Sequence, residues 1–129
     1  MRLLLDTHIL IWLMGSSRKL SFAAQRLIVN PRNEIFFSAA SIFEIGTKRA
    51  SGHRRAPDVA ADRVLGLAER AGYLSLPITA AHAVAVETIA SFHSDPFDRL
   101  LLAQAQVEDL RLVTHDEVLA SYDPRAILI

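Results

Sequence analysis

Four acidic residues stand where carboxylates could share one metal ion. Asp6 directly follows a short apolar run, and Asp116 directly follows a second one. A carboxylate beside a buried strand is costly to desolvate unless it is hydrogen-bonded, paired or bound to a cation. Glu44 lies on a predicted helix that begins right after a strand, and Asp98 lies three residues after a predicted helix cap at Asp95. These four carboxylates are therefore the candidate catalytic and metal-binding residues.

The electrostatics of such a cluster favour a divalent cation. If the four carboxylates converge within about 8 Å, each pair repels by roughly 2 kcal/mol at an effective dielectric near 20. Oxygen ligands and the absence of cysteine favour Mg²⁺ or Mn²⁺ over Zn²⁺. Such a cation polarises a phosphoryl oxygen and activates water to attack a phosphodiester. No Walker loop, Gly-x-Ser-x-Gly elbow or Cys/His pair offers another nucleophile, so water is the expected one.

Each acid also has a purely structural alternative. Asp6 and Asp116 could each cap the short helix that follows them. Glu44 could be an exposed helix residue paired with Lys48 four positions later. Asp98 could complete a capping box or face the positive end of a helix dipole. Only the joint placement of the four carboxylates at one sheet edge would make a site.

Several neighbours could support that site. Thr7 could hydrogen-bond a metal ligand, a water or a phosphate, or simply cap a helix. Asp95 is the better helix cap but is near enough to orient a ligand, and Arg99 could pair with an acid or a phosphate. His8 and His115 neighbour the proposed site. The histidines show no metal-ligand spacing; they are His8, His53, His82, His93 and His115.

Strands and helices alternate along the chain. The apolar runs predict strands at Leu3–Leu5, Glu34–Phe37, Tyr73–Leu76, Arg111–Thr114 and Ala126–Ile129. Seven helices are predicted from caps and apolar spacing. The first four run from Thr7 to Met14, from a Ser21 cap to about Val29, from a Ser38 cap to near Ser51-Gly52, and from Asp58 toward Ala71-Gly72. The last three run from a Thr79 cap to about Ser91, from Asp95-Pro96 through Val107, and briefly after Asp116.

This alternation predicts an α/β fold with a parallel sheet and helices on both faces. Right-handed crossovers then place ligand sites outside the carboxyl ends of the strands. Asp6 and Asp116 both occupy such ends.

Size and composition predict one domain, spanning residues 1–129. The chain is 51% apolar, has no cysteine and carries no net charge. The lack of cysteine suits a reducing cytoplasmic location. We expect neither export nor membrane insertion, because Asp6 and His8 interrupt the apolar N-terminus and the longest apolar run is far too short to span a bilayer. Any RNA contact must come from a local patch, and one candidate contains Lys48, Arg49, Arg54 and Arg55.

Four motifs resemble the PIN-domain family, and specifically the VapC toxins of type II toxin–antitoxin systems. They are Leu3-Leu4-Leu5-Asp6-Thr7-His8, Ser41-Ile42-Phe43-Glu44-Ile45, the stretch from His93-Ser94-Asp95-Pro96 to Ala105, and Leu112-Val113-Thr114-His115-Asp116. Together they extend over nearly the whole chain in the family's order.

The resemblance implies about five parallel strands flanked by helices and an Mg²⁺- or Mn²⁺-dependent endoribonuclease that cuts RNA to arrest translation. Asp6, Glu44, Asp98 and Asp116 each match a family acidic position, with Asp98 favoured over Asp95 as the metal ligand. Glu117 is a neighbouring candidate to Asp116. The resemblance also implies a VapB-type antitoxin that blocks the site, and homodimers that assemble into toxin–antitoxin hetero-oligomers.

Two other functions remain open from sequence. One is a catalytically silent PIN-like module that binds RNA or protein, with the acids serving as caps. The other is a different metal-dependent phosphoesterase, such as a DNA nuclease or phosphatase, because carboxylate sites of this kind serve all of these reactions. The RNA target cannot be read from the sequence, since single-strand recognition depends on surface shape and stacking.

Overall fold

The protein contains one five-stranded parallel sheet flanked by helices. We describe a computed structural model over residues 1–15, 17–89 and 95–129, apart from the side chain of Ser17. The spatial strand order is β3-β2-β1-β4-β5, and every neighbouring pair is parallel. The predicted α/β architecture is therefore confirmed. The strands are β1 (Arg2–Leu5), β2 (Glu34–Ser38), β3 (Leu74–Leu76), β4 (Arg111–Thr114) and β5 (Ile127–Leu128).

β1 is the central strand, and the three residues that follow Arg2 are apolar on both faces. Leu3, Leu4 and Leu5 are fully buried. Leu4 pairs in register with Phe36 of β2 on one side and with Leu112 of β4 on the other. A continuous apolar run of this kind is typical of a parallel strand covered by helices on both faces.

Seven α-helices and one 3-10 turn connect the described strands. The helices are α1 (Thr7–Met14), α2 (Phe22–Val29), α3 (Ala39–Ala50), α4 (Ala61–Arg70), α5 (Ala80–Ala85), α6 (Pro96–Val107) and α7 (Glu117–Ser121), with the 3-10 turn at Ser17–Lys19. Six of them begin with the expected type of side-chain cap, in which an oxygen accepts a backbone N–H of the first turn. The capping residues are Asp6, Ser21, Ser38, Thr79, Asp95 and Asp116.

Two predicted helix boundaries were wrong. α4 begins at Ala61, not at Asp58, and its Ala60 cap makes no side-chain hydrogen bond. The Arg49 guanidinium holds the Pro57 carbonyl at 2.6 Å, which keeps the preceding segment outside the helix.

α5 ends at Ala85, and a turn follows it at residues 86–88. β-Branched Val84, Val86 and Thr88 have low helix propensity, which explains the early end. The predicted end of that helix at Ser91 lies outside the described residues, as does His93.

Helices α3 and α4 end at glycines that reverse the chain direction. Gly52 and Gly72 have positive φ angles of 67° and 83°. Beyond α3, the N–H of His53 donates to the Lys48 carbonyl, and beyond α4 the N–H of Tyr73 donates to the Ala68 carbonyl. Such ends favour glycine because it adopts the left-handed conformation without steric cost. The basic segment after Gly52 therefore returns along α3 toward α1.

Apolar side chains cover both faces of the sheet. Leu3, Leu5 and Ile9 belong to one buried cluster, whereas Leu4, Leu102 and Leu112 belong to the other. The sheet grows outward from β1 in both directions, so the chain order switches between β1 and β4, where parallel α/β sheets bind ligands. No helix in residues 1–15, 17–89 or 95–129 is long and apolar enough to cross a membrane.

Candidate active site

Asp6 lies at the carboxyl end of the central strand and is almost fully enclosed. Its residue is 3% exposed. One carboxylate oxygen accepts a 2.6 Å hydrogen bond from the Thr114 hydroxyl, and the other accepts a long 3.4 Å bond from the His8 N–H. Asp6 thus caps α1, as the helix-cap interpretation of this residue predicted. It is nevertheless more deeply buried than a helix cap requires.

Burial raises the pKa of the Asp6 carboxyl above its ordinary value. The hydrogen bond from Thr114, the nearby His8 and the His8 backbone N–H act in the opposite direction, and the charge of Glu44 raises the pKa further. The folded chain therefore holds a carboxylate in a place that disfavours its negative charge. A bound cation would relieve this cost.

Thr114 connects the ends of β1 and β4. Its hydroxyl donates to Asp6 and accepts a 3.0 Å hydrogen bond from the Asp116 backbone N–H. Asp116 in turn caps α7 by accepting from the N–H groups of Val118 and Leu119 at 2.9 and 3.2 Å. The single hydroxyl fixes the position of Asp6 relative to the loop that carries Asp116.

Asp6 and Asp116 open into a common cavity. This space of about 210 Å³ is lined by both acids and by His8, Trp12 and His115. The Trp12 ring meets the His115 ring edge to face, with a centroid separation of 5.3 Å. The structure therefore brings together the acids that follow β1 and β4, as the parallel topology predicted.

Glu44 presents one carboxylate oxygen without a partner. The residue is 4% exposed, and its Oε2 accepts a 2.6 Å bond from Lys48 Nζ. Its Oε1 is buried and has no hydrogen-bond partner among the described residues. The predicted pairing with Lys48 is present, yet Glu44 is not the exposed helix residue of that alternative. A buried, unpartnered carboxylate oxygen is rare in folded proteins, and it suits a cation ligand.

Thr7 connects the start of α1 to α3. Its hydroxyl donates to Ser41 Oγ at 2.9 Å, and both residues are buried. Ser41 precedes Glu44 by almost one helical turn, so this bond holds the Glu44 helix against the Asp6 helix. Thr7, His8 and Glu44 also line a second cavity of about 180 Å³.

Asp98 lies in the first turn of α6, and its side chain is half-buried. Asp95 caps this helix by accepting from the N–H groups of Phe97 and Asp98 at 2.9 and 3.3 Å. The rings of Phe43 and Phe97 lie 6.0 Å apart. Because Glu44 follows Phe43 and Asp98 follows Phe97, the two acids belong to helix segments that pack together.

Among the described residues, Arg99 forms no ion pair with an acid. Its Nη2 donates to the Val86 carbonyl at 2.7 Å, and its Nε is buried without a partner in the described chain. The guanidinium thus anchors the turn after α5 to the first turn of α6.

The four acids do not form a closed ligand set in these side-chain conformations. Within residues 1–15, 17–89 and 95–129, no group of three or more acidic or histidine side chains is arranged to hold a metal ion. The cavity with Asp6 and Asp116 and the cavity with Glu44 are both lined by His8. The assignment of Asp6, Glu44, Asp98 and Asp116 as metal ligands stays a prediction.

Sequence reasoning missed the residues that hold the acids in place. Thr114 carried a usable signal, because it is a hydroxyl residue at the end of an otherwise apolar strand. Ser41 offered no such signal, since serine in a helix is ordinary. Trp12 lies within the apolar helix predicted from Thr7 to Met14, and nothing in that pattern indicates that it lines the cavity of Asp6 and Asp116.

Acidic residues at the switch point of a five-stranded parallel sheet define a class of α/β domain whose ligand site lies at the carboxyl edge. A sequence model described as "PIN domain" matches residues 3–123. The chain belongs to the PIN-domain family.

Among proteins of known name, the chain is similar to "Ribonuclease VapC22" of Mycobacterium tuberculosis (strain ATCC 25618 / H37Rv). The two are 33% identical over 128 residues, covering 98% of this chain and 96% of the relative.

Solved structures share the fold at low identity. A chain of VapBC2 from Rickettsia felis, bound to a DNA fragment from its promoter, has a TM-score of 0.68 at 15% identity and covers 100% of this chain and 98% of its own. A chain of FitAcB from Neisseria gonorrhoeae has a TM-score of 0.64 at 18% identity, covering 98% and 96%. At these identities, the likeness concerns the fold.

Proposed function

We propose that this protein is a metal-dependent endoribonuclease, the toxin of a VapBC-type toxin–antitoxin module, that hydrolyses RNA phosphodiester bonds and thereby inhibits translation and growth. The observation that carries the proposal is the unpartnered, buried Oε1 of Glu44 near the buried carboxylate of Asp6. The relative named as a ribonuclease is similar to this chain over almost the full length of both proteins.

The donor set fits Mg²⁺ or Mn²⁺. Asp6 and Glu44 supply oxygen atoms in an enclosed place, and Asp116 opens into the same cavity as Asp6. Asp98 completes the proposed set from α6. Hard oxygen donors of this kind suit these ions. When bound, the ion would supply Lewis acidity toward a phosphoryl oxygen and activate water for attack.

The chain's own residues prepare this site. Thr114 donates to Asp6 and so holds its carboxylate in one orientation. Lys48 donates to one oxygen of Glu44, while the other oxygen has no hydrogen-bond partner among the described residues and is available to an ion. Thr7, Asp95 and Arg99 act as supports through contacts with Ser41, the α6 backbone and the Val86 carbonyl.

We further propose a VapB-type antitoxin as the protein partner, together with a homodimer that assembles into a toxin–antitoxin hetero-oligomer. Solved structures with this fold include VapBC from Salmonella typhimurium bound to DNA, with a TM-score of 0.66. A short neighbouring gene that encodes a DNA-binding protein would support the partnership, provided that this protein copurifies with the chain when the two are co-expressed. Purification of the co-expressed pair as separate proteins would argue against it.

The enzymatic test offers three substrates side by side. Purified protein free of any antitoxin is incubated with RNA, single-stranded DNA and a phosphate monoester, each with Mg²⁺, Mn²⁺ or chelator. We expect cleavage within the RNA chain that requires the ion. Preferential cleavage of DNA or of the monoester would instead indicate another phosphoesterase, and no cleavage of any substrate would favour a silent binding module.

A matched pair of variants connects the activity to the site. Asp6→Asn should abolish RNA cleavage without unfolding the protein. Asp62→Asn makes the same chemical change at an exposed position in the first turn of α4, and it should cleave like the wild type. Equal loss of cleavage in both variants would contradict the proposed site.

A further inference from the structure

Three neighbouring cavities surround the outer side of α1. The cavity with Asp6 and Asp116 shares His8 with the cavity of Glu44. The Glu44 cavity shares Ile11 and Lys19 with a third and larger space of about 790 Å³. The three spaces therefore adjoin one another around α1, between the acidic site and the segment that precedes α4.

Cationic side chains line the second and third of these cavities. Lys48 and Arg55 line the Glu44 cavity, and Arg49 and Arg63 line the third cavity, while Lys19 lines both. Asp58 is an acidic residue of the third cavity. The chain carries no net charge, so this clustering is a local feature of the surface. Two of the four residues in the basic patch seen in the sequence, Lys48 and Arg55, thus stand next to the candidate active site.

Three of these cations lack an acidic partner among the described residues. In the part of the chain that the structure describes, Lys19, Arg55 and Arg63 form no ion pair. At the amino ends of β1 and β4, by contrast, the Arg2 and Arg111 guanidinium groups donate hydrogen bonds to backbone carbonyls. Unpaired cations beside an acidic catalytic site would suit the phosphates that flank a cleaved bond.

Trp12 marks the boundary between the acidic and the basic spaces. It lines both the cavity of Asp6 and the third cavity. Its ring is partly buried, and Lys19 Nζ lies 5.7 Å from the ring centroid. A polyanion bound along the path would pass this ring, where a base could stack or Lys19 could move toward a phosphate.

We propose a subsite for single-stranded RNA along the path formed by Lys19, Arg55 and Arg63 and bordered by Trp12. It binds the stretch of the strand that extends from one side of the scissile phosphate. The proposal rests on the proposed ribonuclease function and adds the direction in which the substrate strand runs. The carboxylates would hold the metal ion that contacts the reacting phosphodiester, and the cations would hold the flanking phosphates.

The first test compares two triple variants of equal charge. The path variant is Lys19→Ala/Arg55→Ala/Arg63→Ala. The control variant is Arg26→Ala/Arg32→Ala/Arg70→Ala, which removes exposed cations that line none of the three cavities. Both are made in the Asp6→Asn background so that the RNA stays intact. Binding of a fluorescently labelled single strand of about 16 nucleotides is followed by anisotropy between about 50 and 200 mM salt.

The expected result is a change in salt dependence confined to the path variant. The slope of log K against log salt is negative, and each lost phosphate contact on a single strand makes it shallower by about 0.7. The loss of three contacts should therefore make it shallower by about 2. Affinity should fall about tenfold or more at low salt, and the control variant should match its parent. Equal slopes for parent and path variant would overturn the proposal. So would a path variant that binds RNA normally but fails to bind the coexpressed antitoxin, because the groove would then serve a protein partner.

Cleavage kinetics separate this proposal from the proposed function. With Asp6 intact, the path variant should show a raised KM and a nearly unchanged kcat. If the wild type cleaves RNA and the path variant has wild-type KM, the subsite is wrong while the ribonuclease stands. If the wild type cleaves no RNA, both proposals fail.

The only tryptophan in the sequence gives an independent readout. RNA binding should change the Trp12 fluorescence in the Asp6→Asn protein and in its control triple variant. The same RNA concentration should change it far less in the path variant. Unchanged emission at saturating RNA, with binding seen by anisotropy, would place the strand elsewhere and overturn the proposal.

Discussion

Replacing Asp6 with asparagine should change stability and activity in opposite directions. The carboxylate is buried at the end of β1, and burial together with the charge of Glu44 raises its pKa. Asparagine is nearly isosteric, and its carbonyl can still accept the hydrogen bond from Thr114. The variant therefore removes an unfavourable charge and keeps the bond from Thr114, while it loses the long 3.4 Å bond from the His8 N–H, because an amide nitrogen cannot accept it. It also removes the proposed metal ligand.

The magnitude follows from the environment of the carboxylate. Its two hydrogen bonds, at 2.6 and 3.4 Å, only partly replace hydration. We expect Asp6→Asn to raise the free energy of unfolding at neutral pH by about 1–2 kcal/mol in the absence of metal. For a chain of this size, that corresponds to a rise in Tm of roughly 4–8 °C. RNA cleavage should fall below detection.

The sign of the pH dependence follows from linkage. Because the folded-state pKa of Asp6 is raised, the native state retains this proton at pH values where the unfolded chain has lost it. The wild type therefore loses stability as the pH rises from the ordinary aspartate value through the raised value. The difference in Tm between variant and wild type should be full above the raised pKa of Asp6 and disappear below the ordinary aspartate pKa.

Thermal unfolding with chelator or excess Mg²⁺ provides the assay. Excess Mg²⁺ should raise the Tm of the wild type and have little effect on Asp6→Asn, since an ion that binds only the folded state stabilises it. A variant less stable than the wild type in chelator at neutral pH would refute the reasoning about the buried charge. An equal response of both proteins to Mg²⁺ would refute the role of Asp6 as a ligand.

Substitutions at three further residues test other contacts. Thr114→Val should lower the cleavage rate about tenfold and the free energy of unfolding by about 1–2 kcal/mol in urea titrations, because a hydroxyl with two partners is lost; Thr114→Ser should restore both quantities. Glu44→Gln should require at least about tenfold more Mg²⁺ for half-maximal cleavage, since an anionic oxygen ligand is replaced by a neutral one; an unchanged Mg²⁺ titration would exclude Glu44 as a ligand. Gln104→Ala should lower the free energy of unfolding by about 2–4 kcal/mol, because the hydroxyl of Ser38 and the carbonyl of Pro77 lose a buried partner. The cleavage rate per folded molecule should stay constant. A loss of cleavage rate without a loss of stability would contradict a structural role.

The sheet and most helix starts could be predicted because their signals are local. The run Leu3–Leu5 is apolar at every position, and Ser21, Ser38 and Asp95 are the expected capping types. The start of α4 failed because a tertiary contact decides it. Arg49 binds the Pro57 carbonyl from another helix, and no pattern around Asp58 reveals that.

The candidate acids could be predicted by type and strand position, but their environments could not. Glu44 reads as a surface partner of Lys48, and only the fold shows that it is buried with one oxygen unpartnered. The bond from Thr114 to Asp6 joins residues 108 positions apart. The cationic path likewise depends on Lys19 and Arg63 approaching α1 from different parts of the chain.

Anomalous diffraction from crystals grown with Mn²⁺ would test the proposed metal site most directly. We predict one strong peak within about 2.5 Å of carboxylate oxygens of Asp6 and Glu44, with Asp98 and Asp116 facing it directly or through water. The peak should be absent from crystals of Asp6→Asn. Manganese bound only at other acids, or an active protein with no ion at Asp6, would contradict the proposed site.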